Sequence, residues 1–120
     1  MAEKGLPLAA LLGRGAKYSG EMSFDGRVRV DGTFTGSIFT EDRLEIGESG
    51  VVDGKIDAAT LVVAGTAKGN LRIRDLLIVE STGKVYGKVD AGNMQVEPGA
   101  RIKADIQIGI EPSAGLGETG

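Results

Sequence analysis

The stretch Val28-Arg29-Val30-Asp31-Gly32-Thr33-Phe34-Thr35-Gly36-Ser37-Ile38 decides the architecture. Its apolar residues fall on alternate positions, with Gly32 and Gly36 in the same frame. Alternation with period two sends every second side chain to one face, as in a strand. The frame then recurs. It reads Leu44, Ile46, Val52 and Ile56 around Gly50 and Gly54, then Leu61, Val63, Ala67 and Leu71 around Gly65 and Gly69. A fourth copy is Leu77, Val79, Val85 and Val89 around Gly83 and Gly87. The fifth is Met94, Val96, Ile102 and Ile106, with Ala100 and Ala104 standing in for the glycines. All twenty of these side chains are apolar in a chain that is 41% hydrophobic, and the anchors Gly36, Gly54, Gly69, Gly87 and Ala104 lie 18, 15, 18 and 17 residues apart.

One such repeat has too little apolar surface to bury by itself. Stacked in register, each repeat becomes a coil of a solenoid whose inward residues form one core. The sequence therefore predicts an all-β fold, a single-stranded parallel β-helix of about six coils. Its first coil is the degenerate Tyr18-x-Gly20-x-Met22-x-Phe24. Glycine suits the corners because it reaches positive φ without steric cost. The two-residue difference between long and short frames falls at one corner, between Ile46 and Gly50 or Val79 and Gly83. Outward positions place Asp57 beside Arg72, Arg72 beside Asp90 and Asp53 beside Lys68 across neighbouring coils, either as contacts that discourage register slips or as a mixed solvated surface. An antiparallel sandwich would instead need hairpin turns every ~8–12 residues.

The 120 residues fit one domain. The expected boundaries are a flexible amino tail over residues 1–12, the β-helix over 13–108 and a flexible carboxyl tail over 109–120. Net charge is −3 with the signs interspersed along the chain, which gives no basic stripe for nucleic acid. The absence of cysteine fits the cytoplasm and excludes a disulfide framework or thiolate metal site. No segment approaches the ~20 apolar residues of a spanning helix. Leu6, Leu8, Leu11 and Leu12, with Lys4, Arg14 and Lys17 nearby, are candidate membrane contacts. The alternative for this tail is to pack over the open amino end of the stack. As a signal peptide it is poor, since Gly13-Arg14-Gly15 stands where a small-x-small cleavage site belongs.

Catalytic chemistry is hard to place. There is no histidine for general-base work or metal ligation. Gly15 and Gly20 have the spacing of a phosphate loop, but Glu21-Met22 replaces the Lys-Ser/Thr that would meet the phosphates. The many carboxylates fall on corners and outer faces, where turn and solubility roles suffice, although a glycosidase-like pair on an outer face is conceivable. No cofactor, nucleotide or metal is expected, and the chain is read as a non-enzyme.

What remains is geometry. A stack of parallel strands ends in unpaired backbone groups over a bare apolar layer, a template for another copy of the same chain. The expected polymerisation contacts are Tyr18, Met22 and Phe24 at one end and Ile102, Ile106 and Ile108 at the other. Outward Val62, Leu76 and Ile78 form a candidate lateral or partner patch.

Leu11-Leu12-Gly13-Arg14-Gly15-Ala16-Lys17-Tyr18-Ser19-Gly20 followed by Val30-Asp31-Gly32-Thr33-Phe34-Thr35-Gly36-Ser37-Ile38 resembles the opening of a bactofilin domain. Gly65-Thr66-Ala67-Lys68-Gly69-Asn70-Leu71 and Val96-Glu97-Pro98-Gly99-Ala100 resemble its later coils. The resemblance covers about residues 12–108. It implies a right-handed β-helix with a triangular core, and bacterial, nucleotide-independent, non-polar filaments acting as a cytoskeletal scaffold. It further implies association with the inner face of the cytoplasmic membrane through a short amino tail, and the positioning of cell-wall enzymes or chromosome-segregation proteins. Ile102 stands where the family often has Phe, and Ala104 replaces its usual Gly, which implies a differently shaped carboxyl-end contact. Among rivals, a left-handed β-helix acyltransferase needs a hexapeptide repeat and generally a catalytic His. A secreted or surface β-helix binding module needs a working signal peptide, and an ice-binding solenoid a ladder of Thr-x-Thr beyond Thr33-Phe34-Thr35.

Overall fold

The computed structural model describes residues 8–109, and every regular element among them is a β-strand. The strands are β1 Leu8–Leu12, β2 Lys17–Phe24, β3 Arg27–Val30, β4 Thr33–Thr40, β5 Arg43–Ile46, β6 Val51–Val63, β7 Thr66–Val79, β8 Lys84–Val96 and β9 Arg101–Ile108. All their pairings are parallel. The longer strands run through corners, keeping their ladder past the glycine corner and shifting register between Ala58 and Thr60 and between Ile73 and Leu76. The first part of β6 pairs with β4 and its last part with β5.

The pairings sort into three faces of six rungs each. The first face is β1, β3, β5 and the ends of β6, β7 and β8. The second begins at Lys17, Thr33, Val51, Thr66, Lys84 and Arg101, and the third continues from it past a glycine corner. This is a parallel β-solenoid of about five full turns between first and last rung. The frame read from the sequence is its interior. Val28, Leu44, Leu61 and Leu77 stack in one column, and Phe34, Val52, Ala67 and Val85 in another, all with no exposed surface.

The corner between the second and third faces explains the strictest part of the repeat. Gly20, Gly36, Gly54, Gly69 and Gly87 lie in register, with φ between 110° and 135°. L residues rarely adopt that conformation. Space forbids a side chain as well, since a Cβ on Gly54 would lie 1.9 Å from the Gly36 carbonyl oxygen of the rung below. Gly20, with no rung below it among the described residues, has open space there. Ala104 takes the sixth position, and no non-glycine residue among the described ones has positive φ, so the last corner departs from the ladder.

Length variation sits at the corner joining the first and second faces. Four-residue turns close with bonds from the Gly50 amide to Gly47, the Gly83 amide to Glu80 and the Ala100 amide to Glu97. The short rungs pass through Asp31-Gly32 and Ala64-Gly65 instead. At the third corner Thr40 is the one buried polar side chain among the described residues. Its hydroxyl donates to the Gly26 carbonyl (2.5 Å) and accepts from the Asp42 amide (3.2 Å), which offsets its desolvation.

Two expectations need correction. The amino tail was expected to extend to residue 12, yet β1 begins at Leu8 and pairs with β3 as the first rung of the first face. Leu12, in the inward frame opposite Val30, is a core residue with 6% exposure. Asp57 does stand opposite Arg72 in register, but its ion partner is Arg74 at 2.7 Å. Arg74 also donates to the Thr40 carbonyl (2.8 Å) and lies 5.3 Å from the Phe39 ring centroid, tying three rungs together.

Candidate functional site

The two ends of the stack are where the frame runs out of partners. At the amino end, Tyr18, Met22 and Phe24 occupy the inward columns beneath Phe34, Ile38 and Thr40. They are half-buried and pack against the core. The Tyr18 hydroxyl accepts a hydrogen bond from the Gly13 amide (3.2 Å), which closes the first turn over the layer. At the carboxyl end, Ile102, Ile106 and Ile108 occupy the same columns beyond Val85, Val89 and Ala91. Ile102 is half-buried, while Ile106 and Ile108 are 38% and 39% exposed and Val96 beside them is 47% exposed. These three are the exposed large hydrophobic residues among those described. Each set of predicted contacts is thus brought together in one end layer, and Val96 joins the second set. The frame itself could have indicated Val96, the last member of the column Val30, Ile46, Val63 and Val79.

Chemically, such an end offers apolar area and a strand edge rather than a reacting group. Fully burying an aliphatic side chain stabilises by ~1.5–3 kcal/mol, so the residual exposure at Val96, Ile106 and Ile108 is worth about 1 kcal/mol each. Two such layers supply roughly 6 kcal/mol against an association cost of ~4–15 kcal/mol. The backbone groups of β9 that no described strand pairs must therefore contribute to any contact made there.

The remaining candidates lie elsewhere. Val62 and Ile78 are opposite one another on the outer side of the first face, as Thr60 is to Leu76. Val62 is 8% exposed and Leu76 and Ile78 are half-buried, so the patch is shallow. Of the candidate membrane residues, Leu6 lies outside the described residues, Leu8 and Leu11 are in β1, and Leu12 is in the core. Gly15 and Gly20 are joined through β2, with no helix after the second glycine to present amides to a phosphate.

Next to the patch, Glu45 collects three guanidinium groups, from Arg27 at 3.0 Å, Arg43 at 3.3 Å and Arg29 at 3.7 Å. Arg29 also binds Asp31 at 2.9 Å, and that hydrogen bond, opposed by partial burial, raises its pKa. The first-face surface is thereby cross-braced between the second and third rungs. A different charge pattern on the second face was not foreseen. Lys68, Lys84, Arg101 and Lys103 come together on its last three rungs, although they are 16, 17 and 2 residues apart in the chain. Signs that alternate along the sequence are thus sorted by the register of the fold.

Comparison with known proteins agrees with this architecture. A family model described as "Bactofilin: Polymer-forming cytoskeletal" matches residues 10–107. A crystal structure of a bactofilin from Thermus thermophilus, a phenylalanine-to-arginine mutant, is similar with a TM-score of 0.57 and 25% identity, covering 82% of this chain and 98% of that one. No curated protein is matched. With nearly the whole described solenoid inside the family match, the chain belongs to the bactofilins, a family of polymer-forming cytoskeletal proteins.

Proposed function

We propose that the chain polymerises end to end into nucleotide-independent, non-polar filaments, and that like ends meet. Carboxyl layers would join through Ile102, Ile106 and Ile108, and amino layers through Tyr18, Met22 and Phe24. The observation that carries this is the apolar rung Val96, Ile106 and Ile108, the exposed large hydrophobic residues among those described, the others being buried or half-buried. Closed association of like ends also suits the last corner. Head-to-tail growth would continue the glycine ladder from Ala104, the one corner that departs from it.

In the cell the filament would act as a scaffold in the bacterial cytoplasm, at the inner face of the cytoplasmic membrane. The amino segment bearing Leu6 would touch lipid, and cell-wall enzymes or chromosome-segregation proteins would be positioned along the polymer. No helix among the described residues is long and apolar enough to cross a membrane. Negative-stain electron microscopy of the purified chain without nucleotide, beside an Ile102→Arg variant, tests the assembly. Filaments in the parent and short species in the variant support the proposal. A parent that stays monomeric across salt and concentration would remove it.

A further inference from the structure

The outward side of the second face carries two columns. On its last three rungs one column is Thr66, Lys84 and Arg101, and the other is Lys68, Tyr86 and Lys103. Rungs are ~4.8 Å apart, and the two columns, two residues apart along each strand, are separated by ~7 Å. All four cations are exposed, and none belongs to an ion pair among the described residues. Lys84 stands directly opposite Arg101, an arrangement that destabilises neighbouring strands. Nothing in the fold requires it, since threonine fills the same column at Thr33 and Thr66.

The acids near this face lie round its rim. Asp53 precedes Lys68 in its column, Glu80 and Glu97 open the adjoining turns, and Asp105 follows the last corner. A membrane plane or a duplex broad enough to cover the face would press on the rim together with the cations. A single extended chain fits inside it. Alternate side chains of an extended polypeptide are ~7 Å apart, which equals the separation of the columns. Single-stranded nucleic acid favours several stacking platforms, whereas the patch holds one aromatic ring, the half-buried Tyr86.

We infer that this face is a docking site for an extended acidic polypeptide segment of a partner protein, with carboxylates at alternate positions. The inference rests on the scaffold proposal for its purpose, because it names the chemistry by which cargo would be held. The binding itself needs only the folded face. Repetition of the patch along a polymer would raise a weak single-site affinity by avidity.

The test is fluorescence anisotropy of a labelled peptide of alternating Glu and Ala against the full chain. A labelled single-stranded oligonucleotide and anionic phospholipid vesicles are run beside it, and every sample is imaged for filaments. The parent should bind the peptide, with affinity about tenfold weaker at 0.3 M than at 0.05 M salt. Lys84→Glu/Arg101→Glu should lose binding at least tenfold, and the gentler Lys84→Gln/Arg101→Thr should lose most of it while melting no lower than the parent. Lys17→Glu, on the same face but at its far end, should change it less than twofold. Equal binding by parent and double variants, no binding by the parent, or tighter binding of oligonucleotide or vesicles would each overturn the inference. Missing filaments in the parent would remove the assembly proposal and leave the peptide result to stand by itself.

Discussion

The first and last rungs are built from the same frame, yet they leave the solenoid in different states. At the amino end, large side chains and a closing turn cover the layer. Tyr18 bonds the Gly13 amide, Met22 and Phe24 lean on the core, and Leu12 is 6% exposed. At the carboxyl end the same columns hold Ile102, Ile106 and Ile108, and Val96 is 47% exposed. Branched aliphatic side chains fill a rung between neighbours, but they are too short to fold over an open one. The difference teaches that side-chain size and the closing turn decide whether a solenoid end layer is covered or left open.

The glycine ladder gives the largest expected effect and separates interior from end. Gly54→Ala must accommodate both a strained φ and a Cβ 1.9 Å from the Gly36 carbonyl oxygen. It should cost more than ~4 kcal/mol or prevent folding. Gly20→Ala meets open space and keeps only the backbone strain, about 1–2 kcal/mol. Urea unfolding of both variants checks this, and equal losses would show that the rung below does not enforce the ladder.

The next effect is on assembly. Met22→Arg should leave pairs joined at their carboxyl layers, and Ile106→Arg pairs joined at their amino layers. Sedimentation velocity should find the first kind about tenfold tighter, because the carboxyl layer exposes more apolar surface. Equal affinities would erase the contrast between the ends. Arg74→Ala then separates stability from assembly. It removes the bond to Asp57 and the bond to the Thr40 carbonyl at a solvent-facing site, and should cost about 1 kcal/mol of unfolding free energy with filaments retained. The smallest change is Tyr18→Phe. It deletes the bond to Gly13 and should lower stability by about 0.5–1 kcal/mol. A variant as stable as the parent would mean that the first turn is not held by this bond.

Much of this molecule is legible before any coordinates are drawn. A frame of period two with glycine at fixed intervals leaves little choice of architecture, and its inward residues from Val28 to Val89 all lie in the observed core. What escaped is instructive. β1 escaped because Ala9-Ala10-Leu11-Leu12 is apolar throughout and shows no alternation. Arg74 escaped because it sits at a corner and reaches back two rungs to the Thr40 carbonyl, beyond any nearest-rung rule. The basic face escaped because its members are spread over residues 68–103, and charge read along the chain averages them away. Writing the outward columns rung by rung would have shown it. The residues of the two end layers were legible from the frame, though the unequal cover at the two ends depends on the Tyr18 clasp, which no spacing reveals.

The central claim is that like ends meet, and the absence of native cysteine allows a direct test. Asp105→Cys places one exposed thiol on the last rung, and Glu21→Cys places one in the same column on the first. Each single variant is assembled, treated with a short bismaleimide and run on a denaturing gel. The account predicts covalent dimers from either variant alone. If neither single variant cross-links and only the chain carrying both cysteines does, the contact is head to tail and the claim is wrong.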